Sequence, residues 1–219
     1  FNSLAFTKGF KILEQTSTTL RVEFNPDLVG FDTIKINGEL YVEPKIQGSF
    51  VRDFNLRSPK VLYVSELIAV PSPTSFSFSY TIKGFREIAG RMPPLDIQGY
   101  DTQEYLPSVV DYSNFQPVDW VQCNYKGIAR NIHLAEILIV SAQYDPSKGA
   151  INIPTGIEIT IHFEPSAQSL TTGDDLVADV LNEKQAKQWV INTKISNPTF
   201  YERKVADKLL AENNPFVKI

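Results

Sequence analysis

The sequence predicts a mainly β protein, an antiparallel β-sandwich-like domain with a short helical C-terminal extension. Three observations support this fold class. Short segments that alternate apolar and polar residues are separated by turns containing Gly, Pro or Asn. Two longer runs, residues 61–70 and 134–142, are almost wholly apolar, which is typical of central strands covered on both faces. After Phe163 the apolar spacing changes to the three and four residues of a helix.

The first part of the chain is predicted to contain two β-hairpins. Residues 10–13 and 20–24 flank a short polar turn, and the second segment alternates like a half-buried strand. Residues 31–36 and 40–42 flank Asn37-Gly38. This dipeptide tolerates the positive φ angles of a tight hairpin turn, so it is a strong local signal.

Residues 76–82 alternate strictly, with Phe76, Phe78, Tyr80 and Ile82 on one face and serines and a threonine on the other. Aromatic residues on one face of a strand usually belong to a core, and we favour that interpretation. The alternative is an exposed platform that binds a sugar or a peptide. Solvent exposure of the three rings would favour the platform.

Residues 87–107 contain several Gly and Pro residues and have no sustained period, so they are predicted to form a long irregular loop. Loops of this length in a compact domain are usually functional or disordered. Arg86 and Arg91 border this loop. An arginine on an exposed loop usually serves solubility. The more specific interpretation is a side chain presented to the pocket of a partner.

Strand patterns return at residues 118–125, and the segment 145–149 is predicted to be a turn. Residues 157–163 alternate, so their Ile and Phe side chains are expected to face inward. Further on, Thr172 and the acidic pair Asp174-Asp175 predict the start of a helix.

The C-terminal segment is therefore expected to contain helices at about residues 174–189 and 199–212. We assign residues 1–165 to the β domain and residues 166–219 to a helical extension and linker. The last four residues resemble the start of another strand. We therefore expect a further domain downstream.

The composition argues against several classes of function. Lys and Arg number 21 and Asp and Glu number 25, so 21 − 25 gives a net charge of −4. This balance gives no electrostatic basis for nucleic-acid binding. No apolar run approaches the roughly 20 residues that a membrane-spanning helix needs.

Catalytic machinery is also not predicted. The sequence has no phosphate-binding loop, dinucleotide fingerprint, serine-hydrolase elbow or zinc-peptidase motif. Its two histidines, His133 and His162, have no ligands at metal-site spacing, so we predict no metal and no cofactor. Cys123 could act as a nucleophile with His133 as base, but a small buried thiol is the favoured interpretation.

Two blocks of the sequence resemble a known family. Four residues match its turn pattern QYNPxTG, and these are Gln143, Tyr144, Pro146 and Gly149. The alternating isoleucines of residues 157–161 match the end of the same pattern. Residues 59–71 are similar to the stretch GxPxLPxxxxxIxVP, with Leu62 in place of the second Pro. Over residues 10–163 the chain thus resembles the N-terminal propeptide-like domain of gingipain-type (C25 family) cysteine peptidases and of related type IX secretion sortase proteins of Bacteroidetes.

This resemblance implies a non-catalytic prodomain that inhibits a gingipain-like cysteine peptidase and assists its folding. The implied partners are a downstream peptidase domain of the same polypeptide and the secretion machinery. The implied location is the periplasm, the outer-membrane surface or the extracellular space. In the family a loop places a basic side chain in the specificity pocket of the peptidase. Arg91 is the first candidate here and Arg86 the second, whereas the matched turn residues are structural.

Two alternatives remain open at this stage. The first is a permanent N-terminal docking domain of a type IX secretion sortase or surface protein. The second is a carbohydrate- or surface-binding β-sandwich that uses exposed aromatic residues.

Overall fold

The computed structural model describes residues 9–36, 38–52, 58–95, 110–129, 132–164 and Leu181. In these ranges the chain forms strands and turns, and it contains no helix. The strands are β1 (Phe10–Gln15), β2 (Thr19–Phe24), β3 (Leu28–Ile36), β4 (Glu39–Ile46), β5 (Phe50–Val51), β6 (Leu62–Val70), β7 (Phe76–Ala89), β8 (Val121–Ala129), β9 (Ile132–Asp145) and β10 (Ala150–Phe163). All of their pairings are antiparallel. The predicted fold class is confirmed for this part of the chain.

Eight of the strands form one curled sheet that consists of two halves. The first half-sheet has the order β1-β2-β10-β7, and the second has the order β5-β6-β9-β8. The two halves are joined by the β9–β10 hairpin, whose strands pair only at residues 143–145 and 150–152. Beyond these residues β10 pairs with β2, and β9 pairs with β8. The strands β3 and β4 form a separate hairpin.

A bulge in β10 lies between its pairing with β9 and its pairing with β2. The register with β7 shifts on both sides of Gly156, and Thr155 is exposed there. A Cβ atom on Gly156 would lie 3.0 Å from Asn25 Oδ1, so the position has little room for a side chain. Bulges bend a strand and increase its twist. Because of this bulge, β10 can pair along one edge with β9 before the bulge and with β2 after it.

One hydrophobic core lies between the two half-sheets. Ile157, Ile159 and Ile161 of β10 are fully buried, and β9 contributes Ile137 and Ile139 in the same way. Burying an aliphatic side chain of this size contributes about 1.5–3 kcal/mol relative to leaving it exposed. The inward alternation predicted for residues 157–163 is confirmed, and so are the two central strands.

The predicted hairpins are also present. β1 pairs with β2, and β3 pairs with β4 around Gly38, whose φ angle is +88°. The turn at residues 146–149 closes the β9–β10 hairpin.

The strand β7 corrects two expectations. It continues to Ala89 because it pairs with β10 along its whole length, so residues 87–89 do not belong to an irregular loop. Of its predicted core rings, Phe76 is half-buried and packs against the core, whereas Phe78 is 37% exposed and Tyr80 is 38% exposed. Both lie opposite buried residues of β10, on the core-facing side. Among the described strands β7 pairs only with β10, and this edge position leaves the rings partly uncovered.

The predicted helices and the start at Asp174-Asp175 lie outside the described residues, as do residues 96–109 of the predicted loop. The division at residue 165 therefore stays a prediction. Leu181 is described, and its backbone N–H donates to the carbonyl of Leu67 at 2.9 Å. Its side chain packs against the core.

Within the same described ranges, the chain has no helix that is long and apolar enough to cross a bilayer.

Candidate functional site

Residues 90–95 follow β7 directly and are held by backbone hydrogen bonds on both sides. The Val42 N–H of β4 donates to the Arg91 carbonyl at 2.9 Å. On the other side the Lys60 N–H donates to the Pro93 carbonyl at 2.9 Å. Residues 92–95 are all buried. Arg91 is thus attached to an anchored segment and not to a free loop tip.

Gly90 allows the chain to pass close to Val42 of β4. Its φ angle is +129°, a conformation that side-chain-bearing residues rarely adopt. A Cβ atom at this position would lie 3.0 Å from Val42 Cγ2. Glycine is therefore required where β7 turns toward β4.

An ion pair adds to the attachment of the segment. Lys60 Nζ lies 3.1 Å from Glu43 Oε2, and both side chains are mostly shielded from solvent. Glu43 belongs to β4 and Lys60 to the segment that binds Pro93. The pair therefore joins the two sides between which residues 90–95 lie.

The Arg91 side chain points to solvent, with 53% of its surface exposed. Its guanidinium carbon lies 5.2 Å from the centroid of the Tyr112 ring, in cation–π geometry. Nη1 lies 3.8 Å from Glu39 Oε2, and Glu39 in turn accepts a 2.8 Å hydrogen bond from the Tyr41 hydroxyl. An exposed pair at this separation contributes between about 0 and 1 kcal/mol. Arg91 can therefore leave Glu39 at little cost.

Tyr112 lies at the centre of a row of three tyrosines. Its ring stacks on Tyr41 at 6.3 Å between centroids and meets the Tyr144 ring edge-on at 5.1 Å. Its hydroxyl donates to the Met92 carbonyl. Burial raises the pKa of Tyr112, so the hydroxyl remains a donor beyond the pH at which an ordinary tyrosine ionises. Sequence reasoning missed Tyr112, because it lies in a segment with no period or motif.

Tyr144 connects this row to the turn pattern identified in the sequence. The neighbouring Gln143 is buried, and its side-chain amide pairs with the backbone of one residue, Val118. Nε2 donates to the Val118 carbonyl at 3.0 Å, and Oε1 accepts from the Val118 N–H at 2.9 Å. Gly149 adopts φ +62° at the end of the turn, where glycine is favoured.

The carboxylate of Asp145 organises the turn from within. It accepts hydrogen bonds from the Ser147 N–H at 2.9 Å and from Asn152 Nδ2 at 3.1 Å. Hydrogen bonds from Ser147 and Asn152 lower the pKa of Asp145, despite the opposing effect of burial. Pro146 is partly buried.

The two arginine candidates are in different settings. Arg86 lies within β7 opposite Ile153, and its side chain is exposed. Arg91 lies beyond the end of the strand, beside the tyrosine row. The described contacts bring Arg91 together with Tyr144 through Tyr112, and they do not include Arg86 in this group.

Cys123 and His133 do not form a nucleophile–base pair. The β8–β9 register places Cys123 opposite Ile137 and His133 opposite Ile128. His133 Nδ1 instead lies 2.8 Å from the Tyr125 hydroxyl. Burial raises the pKa of the Cys123 thiol to about 12. Among the described residues, no three His, Cys, Asp or Glu side chains lie close enough together to hold a metal ion.

The comparisons with known proteins give a similarity of fold. No protein-family model matches the sequence, and no curated protein matches it either. Two structures from Porphyromonas gingivalis contain similar chains. One concerns the zymogenic latency of gingipain K, with 21% identity and a TM-score of 0.54 over 72% of this chain and 93% of that chain. The other is the complex of RgpB pro- and mature domains, with 16% identity and a TM-score of 0.59 over 80% and 98%.

The chain thus has the antiparallel β fold of chains from gingipain structures. Two blocks of the sequence resemble gingipain-type prodomains. The two structures confirm this resemblance as a similarity of fold.

We predict that Gln143→Leu will destabilise the domain strongly. The substitution leaves the partly buried Val118 N–H and carbonyl without their partner, and an unsatisfied group that is shielded from water costs about 1–3 kcal/mol. Urea unfolding should show a loss of about 2–4 kcal/mol. Gln122→Leu on the half-exposed face of β8 is the matched control, with an expected change within about 0.5 kcal/mol. Equal effects of the two substitutions would contradict the assigned role.

We also predict that Cys123 is chemically inert in the folded domain. A thiol with a pKa of about 12 is almost wholly protonated at pH 8, and only the thiolate reacts. Alkylation by iodoacetamide at pH 8 should be at least about a hundredfold slower than that of free cysteine. In denaturant the rate should rise to that of the free amino acid. A rate in the native domain close to that of free cysteine would show that the thiol is accessible and activated.

Proposed function

We propose that this chain is a non-catalytic prodomain that inhibits a gingipain-like cysteine peptidase and assists its folding. The peptidase would be a downstream domain of the same polypeptide. The observation that supports this function most directly is Arg91, a half-exposed basic side chain on an anchored segment, in a chain that shares its fold with gingipain structures. One of those structures is a complex of pro- and mature domains, which supports a peptidase as the partner.

The geometry of Arg91 suits insertion into a pocket. Its guanidinium exchanges a loose contact with Glu39 for an acidic group of the partner. Its backbone stays in place because residues 92–95 are buried and bonded on both sides. A central side chain that fills a pocket, surrounded by flanking contacts that exclude water, is the usual arrangement of a tight protein interface.

This function places the domain outside the cytoplasm. We propose that it is exported and acts in the periplasm, at the outer-membrane surface or in the extracellular space. The secretion machinery is a further proposed partner. A permanent docking domain of a secretion sortase shares this location, but it would not inhibit a peptidase.

Inhibition in trans tests the proposal. The purified domain should inhibit the mature peptidase domain of RgpB or of gingipain K, or the peptidase encoded downstream. Arg91→Ala should raise the inhibition constant at least tenfold, about 1.4 kcal/mol. Arg86→Ala is the matched control, because this exposed strand arginine lies outside the tyrosine row. It should change the constant less than twofold.

Each result has a distinct meaning. An unchanged constant for Arg91→Ala would remove Arg91 from the mechanism. No inhibition by the unmodified domain at any of these peptidases would contradict the inhibitory function and favour the docking domain.

A second candidate function is carbohydrate or surface binding, and the exposure of Phe78 and Tyr80 favours it. Phe85 of the same strand is also exposed, although its ring packs on Trp120 at 4.9 Å between centroids. Against this function, Phe78 and Tyr80 lie on the core-facing side of β7, opposite buried isoleucines of β10. Only part of each ring is therefore available to a ligand.

Phe78→Ser with Tyr80→Ser separates the two functions. Under the prodomain proposal, the double variant should keep peptidase inhibition within about threefold, less than 1 kcal/mol. The unmodified domain should not be retained on immobilised polysaccharides. Retention that the double variant abolishes would establish the second function instead.

A further inference from the structure

We propose that Tyr112 is a positioning residue that fixes the direction in which the Arg91 side chain leaves the domain. The inference rests on the proposed function of Arg91. It assigns to Tyr112 a role that no pattern in the sequence indicates.

The ring of Tyr112 supplies a fixed surface beneath the guanidinium. Arg91 Cζ lies 5.2 Å from the ring centroid. The ring itself is half-buried and contacts both Tyr41 and Tyr144. Tyr144 is buried in the β9–β10 hairpin, so the position of the ring is set by the core of the fold.

The hydroxyl of Tyr112 acts on the backbone of the same segment. It donates to the carbonyl of Met92, the residue that follows Arg91. The Met92 side chain is fully buried. One tyrosine thus contacts both the arginine side chain and the main chain next to it.

Glu39 adds a second, weaker contact to the Arg91 guanidinium. Glu39 lies 3.8 Å from the guanidinium and is oriented by the hydroxyl of Tyr41. Tyr41 stacks on Tyr112. The guanidinium is therefore oriented mainly by the ring of Tyr112, and the carboxylate beside it is linked to that ring through Tyr41.

This arrangement has a measurable consequence for binding. An unrestrained arginine loses much rotamer freedom when a pocket immobilises it, and a side chain that is already oriented loses less. We expect the ring of Tyr112 to improve inhibition by about tenfold through this preorganisation.

The first measurement needs no peptidase. In NMR spectra of the domain, the Arg91 δ protons should be shifted upfield by the ring current of Tyr112. Tyr112→Leu should remove the shift, whereas Tyr112→Phe keeps the ring and should retain it. Tyr80→Leu is the control, because this exposed tyrosine lies on β7 away from Arg91. Normal shifts in the unmodified domain would contradict the inference.

The second measurement is a double-mutant cycle on the inhibition constant. Tyr112→Leu should weaken inhibition about tenfold when Arg91 is present and less than twofold in the Arg91→Ala background. Equal weakening in both backgrounds would show that Tyr112 supports only the fold and would overturn the inference.

The two measurements separate this inference from the proposed function. If the unmodified domain does not inhibit but the upfield shift is present and depends on the Tyr112 ring, the positioning stands and the inhibitory function fails. If the domain inhibits but the shift is absent, the function stands and Tyr112 is not the positioning residue. If Tyr112→Leu does not fold, the spectrum of the unmodified domain still tests the inference, because normal Arg91 δ-proton shifts there overturn it.

Discussion

The side-chain amide of Gln143 forms the hydrogen bonds on which the arrangement of this domain depends. β9 and β10 separate after three paired residues, because each strand continues in a different half of the sheet. At the point of separation, Gln143 binds both backbone groups of Val118, the residue that leads into β8. A buried side chain thus satisfies partly buried backbone groups where the chain leaves regular pairing, as polar groups shielded from water require.

The geometry of the candidate site depends on this point, where β9 and β10 separate. Tyr144 follows Gln143 and is buried beside it, so its ring has a fixed place in the core. Tyr112 packs edge-on against Tyr144, and Arg91 lies over Tyr112. The backbone bonds from Val42 and Lys60 hold the other side of the Arg91 segment. A solvent-exposed arginine is thereby connected to the central hairpin through two aromatic contacts.

The parts of this structure that could be predicted from sequence are those with a local signal. Alternation in residues 157–163 and the Asn37-Gly38 turn correctly indicated β10 and the β3–β4 hairpin. The same alternation placed Phe78 and Tyr80 on the correct face but could not show that β7 lies at an edge, because the strand order depends on distant segments. Arg91 was identified as a candidate from its position beside a Gly- and Pro-rich segment. Its contacts with Tyr112 and Glu39 join residues 21 and 52 positions away, and no local pattern encodes them.

Amide hydrogen exchange at Val42 and Lys60 tests the central claim that Arg91 is presented from an anchored segment. Both N–H groups donate to carbonyls of that segment, at 2.9 Å in each case. We expect both amides to exchange slowly, with protection similar to that of Ile159 in the centre of β10. Exchange of either amide near the rate of an unstructured peptide, in a domain whose Ile159 remains protected, would show that the Arg91 segment is not anchored.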